Sequence, residues 1–226
     1  MSITVKNLEY SFPRTRKARK LSSGALVVHE LAISQGSWIH LTGDNGSGKS
    51  TLIKLILGIL RPDSGSILVL GQDAYRKRRK LMRDTGVVWG HRSTLWWDAS
   101  TEDALRALNA MYRSSDAHAL HLQQELVQRL GTQDFMSRPI RTLSLGQRQR
   151  VEILAALSHA PSRIFLDEPF VGLDKSGVES VKATLEELFA DATVIIVDHE
   201  ASVPTRCNRV DMSDLAIRST GEGRLA

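Results

Sequence analysis

With 226 residues, 42% of them hydrophobic, the chain has enough apolar material for one large α/β domain, which argues against disorder. Its one cysteine, Cys207, excludes an internal disulfide framework. The most apolar stretch, residues 52–60, falls short of the roughly 20 apolar residues a membrane span needs, and residues 1–7 lack the basic-then-apolar start of a secretory leader, so neither is expected. The formal net charge of +5 is concentrated in two basic runs, residues 14–20 and 76–80. Such runs read as solvated surface, as attraction to anionic headgroups, or as a nucleic-acid contact; no aromatic residues interleave them, which argues against single-stranded nucleic acid.

Along the chain, residues 3–12, 25–33 and 38–42 read as strands. A glycine-rich turn then leads into an apolar-periodic helix over about 49–60, closed by Pro62 and Gly65. Short apolar strands follow at 66–70, 86–89, 163–166 and 193–197. Between 101 and 135 the pattern turns helical, with Leu105, Leu108, Leu120, Leu122, Leu126 and Leu130 marking apolar faces. The expectation is an α/β fold: a mostly parallel central sheet with helices packed on it and a helical lobe inserted at about 91–159. The core is expected to occupy about 1–90 and 160–226, with the tail from about Val210 unassigned.

Three stretches carry chemistry. Gly43-Asp44-Asn45-Gly46-Ser47-Gly48-Lys49-Ser50-Thr51 fits G-x-x-x-x-G-K-[ST], preceded by a strand and followed by a helix. Its glycines allow backbone N–H groups to turn toward phosphate oxygens, and the helix points its positive end at the same anion. Lys49 is expected to reach the β- and γ-phosphates of ATP, and Ser50 to ligate Mg²⁺. Ile164-Phe165-Leu166-Asp167-Glu168-Pro169 is an apolar strand ending in two acids. Asp167 is placed to hold Mg²⁺, and Glu168 to act as general base on the attacking water. Between them lies Leu143-Ser144-Leu145-Gly146-Gln147, ahead of an apolar helix over about 149–157.

This last stretch resembles the signature of the ABC family, usually LSGGQ, with Leu145 where the second glycine normally stands. The resemblance runs over nearly the whole chain. It implies a P-loop ATPase core with an N-terminal antiparallel β subdomain and an inserted helical signature subdomain. It also implies that Ser144, Gly146 and Gln147 of one subunit face the ATP held by another. Gly172-Leu173-Asp174 is similar to the D-loop, and His199, after the strand at 193–197, stands at the switch position that senses the γ-phosphate. Phe12 stands where the family stacks a ring on adenine, with Tyr10 as the alternative. His91 takes the place of a glutamine that contacts Mg²⁺; an imidazole is a poor direct ligand for that cation, so it acts through a water or as a coupling residue.

A single ATPase domain without coiled-coil heptads is similar to stand-alone subunits that dock on a multispan membrane permease. The implied setting is peripheral, on the cytoplasmic side of the inner or plasma membrane, with a second ATPase subunit. Ser93-Thr94-Leu95-Trp96-Trp97-Asp98 resembles type-2 exporters of bacteria, while Asp167–Phe170 and Gly90-His91 share features with haem exporters of cytochrome c maturation. Trp96 and Trp97 read either as an apolar patch for the permease or as packing within the helical lobe. Two rival readings are a soluble ATPase acting on nucleic acid or ribosomes, and a non-hydrolysing partner of an active subunit. No nucleic-acid partner is expected.

Overall fold

The computed structural model describes residues 2–12, 25–90, 93–112, 117–198 and 203–215. The basic run at 14–20, His91 and His199 lie outside the described residues. The chain divides into two units, one of residues 1–33, 43–78 and 210–226, the other of residues 34–42 and 79–209.

In the first unit, β1 (Ile3–Ser11) pairs antiparallel with β2 (Ala25–Ile33). Strict alternation along β1 would bury Asn7 with Ile3 and Val5. Instead Asn7 adopts φ 47°, and while the register with β2 is unbroken, the pairing of the other edge of β1 with residues 64–69 shifts between Lys6 and Glu9, so that Leu8 turns inward. This bulge lets Ile3, Val5 and Leu8 all reach the core. After β3 (Trp38–Thr42), which belongs to the second unit, comes α1 (Lys49–Ile56). It ends four residues earlier than the periodicity predicts. Gly58, at φ 67°, turns the chain; a side chain there would overlap the Ala74 carbonyl, so packing stops the helix before Pro62 is reached. Strand β4 (Ser64–Val69) joins the other edge of β1, and the two-residue β5 (Gln72–Asp73) completes the order β2-β1-β4-β5.

The second unit takes α2 (Arg78–Leu81) from its second residue and continues through β6 (Thr85–Trp89), α3 (Thr101–Tyr112), α4 (Ala117–Arg129) and α5 (Leu145–Leu157). Then come β7 (Arg163–Asp167), α6 (Lys175–Leu188), β8 (Thr193–Val197) and β9 (Asn208–Asp211); the short α7 (Met212–Leu215) returns to the first unit. The sheet order is β6-β7-β8-β3-β9, with β6, β7, β8 and β3 parallel. Strand β8 is buried throughout and β7 up to Leu166, as expected of parallel strands covered on both faces. Helix α5 is buried around its whole circumference from Val151 to Leu157 and forms the axis of the core. Leu105, Leu122, Leu126 and Leu130 pack there as the helical periodicity anticipates, whereas Leu120, out of phase with the 122–126–130 stripe, is exposed.

His159, just past α5, is buried and lies flat against Tyr112, ring centroids 3.9 Å apart. Neither ring nitrogen has a hydrogen-bond partner. Burial holds its pKa down to about 4; the Thr85 backbone, too poorly placed for a hydrogen bond, and the Asp84 carboxylate pull weakly the other way. The unfolded chain takes up this proton near pH 6.5, the folded chain only near 4. Stability is therefore complete above pH 6.5 and declines as the pH falls toward 4, by at most about 3 kcal/mol. His159→Phe, which keeps the stack without the titration, is expected to flatten Tm against pH over that window; an unchanged slope would place the acid sensitivity elsewhere.

Candidate functional site

Parallel strands present their carboxyl ends at one edge of a sheet, where loops gather ligands. Here the register aligns Trp89, Asp167 and Val197 across β6, β7 and β8. The ladder extends one residue further: Gly90 N–H donates to the Asp167 carbonyl at 2.6 Å, and Glu168 N–H to the Val197 carbonyl at 2.7 Å. Glu168 is thereby held at φ 53°, a left-handed conformation that costs a side-chain-bearing residue on the order of 1 kcal/mol. Strain of this kind at the tip of the sheet is the sort that collects at functional sites. Its neighbour must be glycine, because a Cβ on residue 90 would stand 2.5 Å from the Glu168 carbonyl and 2.7 Å from its Cβ. Along the same edge, His40 Nε2 lies 3.2 Å from the Asp198 carbonyl.

The signature-like stretch is built by a capping box. Ser144 caps α5, its hydroxyl accepting from Gln147 N–H at 3.2 Å, while the Gln147 side-chain carbonyl accepts from Ser144 N–H at 3.1 Å. This S-x-x-Q pattern starts α5 at Leu145, four residues before the predicted position. Gly146 is pressed against the Gly172 carbonyl, leaving no room for a side chain, and the exposed Leu145 side chain covers Gly172 from the outside. Leu145 thus packs on the segment that resembles the D-loop. Gln149 donates to the Pro169 carbonyl at 2.9 Å, and Arg150 pairs with Asp174 at 3.1 Å. Asp174 caps α6, accepting from Gly177 N–H; the Ser176 hydroxyl first, then that N–H, hold its carboxyl below the ordinary range.

In the first unit, the loop after β3 turns on Gly43, Gly46 and Gly48, at φ 140°, 83° and 100°. No side chain caps α1 and no acid stands in its first turn, so its N-terminal dipole is left uncompensated. Lys49 is buried, its ammonium donating to the carbonyls of Gly43 at 2.6 Å and Asp44 at 3.0 Å, which leaves one of its three donors without a partner among the described residues. The Ser47 hydroxyl is buried without a hydrogen-bond partner among the described residues. A nest with a spare ammonium donor and an orphaned hydroxyl fits a multiply charged oxyanion. Asp44 and Asn45 are exposed at its tip; Ser50 and Thr51 stand half-buried in the first turn of α1. Phe12 is exposed and meets Tyr10 edge to face, centroids 5.6 Å apart, so both rings stay at one strand end.

The profile of the family described as "ABC transporter" matches residues 27–171, more than half the chain. The chain belongs to that family. It is an ABC transporter ATP-binding domain, and ATP binding is the property its family shares. It is 30% identical to the energy-coupling factor transporter ATP-binding protein EcfA1 of Oenococcus oeni, over 99% of this chain and 77% of that protein. It is 29% identical to the cytochrome c biogenesis ATP-binding export protein CcmA of Pseudomonas fluorescens, over 83% of this chain and 89% of that one. The structure of cbiO1 from Clostridium perfringens, described as part of an ABC transporter complex, superposes with a TM-score of 0.70 at 29% identity, covering 93% and 84% of the two chains. The α/β P-loop fold expected from the sequence is therefore the fold of this ABC domain.

Sequence reasoning quotes Gly90 only beside His91 and assigns no role to it or to Gln149, Arg150 and Glu152, which connect these segments; only the glycine, immediately after a strand, offered a local signal. Gly90→Ala is expected to lower stability by about 1–3 kcal/mol, as overpacking against backbone does. Thermal unfolding checks this; an unchanged Tm would mean that the Gly90–Glu168 approach is not tight.

Proposed function

We propose that this domain binds and hydrolyses ATP to power transport, in the export direction, through a separate multispan permease. The observation that carries the reading is the oxyanion nest of residues 43–51, with its buried Lys49 ammonium and a Ser47 hydroxyl unpartnered among the described residues. Family membership supports hydrolysis as its use. In this reading Gly43, Asp44, Asn45, Gly46, Ser47, Gly48, Lys49, Ser50 and Thr51 cradle the phosphates, and Phe12 offers a ring to the adenine.

Glu168 takes a proton from water as its oxygen attacks the γ-phosphorus; the bond to the β-phosphate oxygen breaks, leaving ADP and phosphate. The strained backbone at Glu168 supports a functional role for that residue. Mg²⁺ suits the oxygen donors of Ser50 and Asp167. Mg²⁺ takes oxygen ligands in a tight octahedron and keeps several waters, so these two residues, substrate oxygens and water would together hold it. Mg²⁺ would neutralise charge on the transferred phosphoryl group. His199 is assigned to the γ-phosphate by its place in the motif order, and His91 to coupling.

Ser144, Gly146, Gln147 and Asp174 are assigned to the ATP of a second subunit, pairing head to tail. The γ-phosphate then supplies contacts that exist only in the closed pair, and hydrolysis removes them. Trp96 and Trp97, 50% and 49% exposed, are offered as the permease contact. Among the described residues no helix is long and apolar enough to cross a membrane; a peripheral place on the cytoplasmic face is part of this proposal and follows from the permease partner. The export direction draws on the resemblance at 93–98 and on the export protein among the relatives.

Calorimetric titration with Mg–ATP and phosphate-release kinetics test the chemistry. Lys49→Ala is expected to weaken ATP binding at least tenfold. Glu168→Gln is expected to keep the affinity and lose about 100-fold or more in turnover. Turnover at the parental rate in Glu168→Gln would remove Glu168 as the base.

A further inference from the structure

Glu152 lies two turns into α5, 4% exposed. A carboxylate removed from water to that degree has to be met by hydrogen-bond donors. It is met by one short segment. Ser93 Oγ donates to Oε1 at 2.5 Å, Thr94 N–H to Oε1 at 3.1 Å, and Thr94 Oγ1 to Oε2 at 2.7 Å. Ser93 Oγ in turn accepts from Leu95 N–H at 3.3 Å, tightening the turn that leads into the two tryptophans.

The far end of this segment is tied to the same part of the chain. Arg141 N–H donates to the Trp97 carbonyl at 2.9 Å, Ile140 N–H to the Ala99 carbonyl at 3.0 Å, and the Arg141 guanidinium pairs with Asp98 at 2.9 Å. The Arg148 guanidinium lies 5.2 Å from the centre of the Trp97 ring. Among the described residues, every hydrogen bond, ion pair and ring contact that residues 93–99 make beyond themselves goes to residues 140–152. The capping box and Gly146 belong to that stretch too. Residues 93–99 are therefore tied to the start of α5 and the turn before it.

We propose that Glu152 is a positioning residue that makes the Trp96–Trp97 segment a rigid extension of the signature helix, so that a displacement of α5 on nucleotide binding is delivered directly to these tryptophans. The inference rests on the nucleotide reading above for its trigger; the clamp at residues 93 and 94 rests on the geometry at Glu152 and not on that reading. The two carboxylate oxygens accept all three donors at once. In Glu152→Gln one oxygen remains, so the Thr94 hydroxyl stays bonded only by reversing to accept from the –NH₂ group, and the bonds that persist are no longer to a carboxylate.

The test uses the full chain labelled with 5-fluorotryptophan. Its four ¹⁹F resonances are assigned by Trp89→Phe, Trp96→Phe and Trp97→Phe, the fourth being that of Trp38. Without nucleotide, Glu152→Gln is expected to change the line widths of the Trp96 and Trp97 resonances about twofold while leaving that of buried Trp38 unchanged. With Mg–ATP, the parental chain is expected to shift both resonances, and Glu152→Gln to lose more than half of that shift at an ATP affinity within twofold of the parent. Thr94→Ala is expected to reproduce the effect, and the double variant to add nothing. It also carries the test should Glu152→Gln fold poorly. Parental line widths in both variants, or additive effects in the double variant, would overturn the clamp. A parental chain that binds ATP without moving Trp96 or Trp97 would overturn the delivery. Failure of the parental chain to bind ATP would instead count against the nucleotide reading, while the nucleotide-free line widths still judge the clamp.

Discussion

The alignment of Trp89, Asp167 and Val197 at the end of three parallel strands is the constraint on which the second unit depends. Because the ladder runs one residue past the strands, the backbone at Gly90 and Glu168 is pulled into near contact. That approach excludes a side chain at residue 90 and drives Glu168 into left-handed backbone. Strain of this kind persists only where surrounding structure over-determines it. The fully buried β8 beside the tip and the buried stretch of β7 behind it supply that support.

Helix α5 is the second organising element. It has no solvent face over its middle turns, so its polar residues are committed inward or along its ends. Gln149 reaches the Pro169 carbonyl, Arg150 reaches Asp174, and Glu152 holds residues 93 and 94. Gly146, packed against Gly172, lets the start of the helix approach the segment after Glu168. One helix thus touches the acidic strand tip, the D-loop-like turn and the tryptophan segment. Leu145, the departure from the usual signature, is accommodated because it points outward over Gly172 and leaves the capping box of Ser144 and Gln147 intact.

Much of this was legible in the sequence. The runs at 25–33, 38–42 and 193–197 fall on β2, β3 and β8 without adjustment, since β-branched stretches bounded by turn residues admit few alternatives. What escaped has physical causes. The bulge at Asn7 and the early end of α1 at Gly58 are set by neighbours distant in sequence. The early start of α5 was written in Ser144 and Gln147, a capping box that apolar periodicity alone overlooks. Strands β5 and β9 and helix α7 are too short to leave a periodic trace. Glu152 sits in an apolar stretch, and its partners lie 58 and 59 residues away, so nothing local identifies it. The glycine loop at 43–48 was legible because its chemistry is in its backbone: glycine spacing dictates the turn, and the lysine that follows is drawn back to the loop's own carbonyls.

The central claim is that this ABC domain converts ATP hydrolysis at the 43–51 loop into work on a membrane partner. The most direct measurement is a detergent pull-down of the tagged chain from its native membranes, with phosphate release measured on what is recovered. The account predicts a co-purifying multispan protein that raises the ATPase rate above that of the isolated chain, with the rise absent in Lys49→Ala. Recovery of RNA or DNA with the chain instead, together with stimulation by that nucleic acid and no membrane protein, would contradict it.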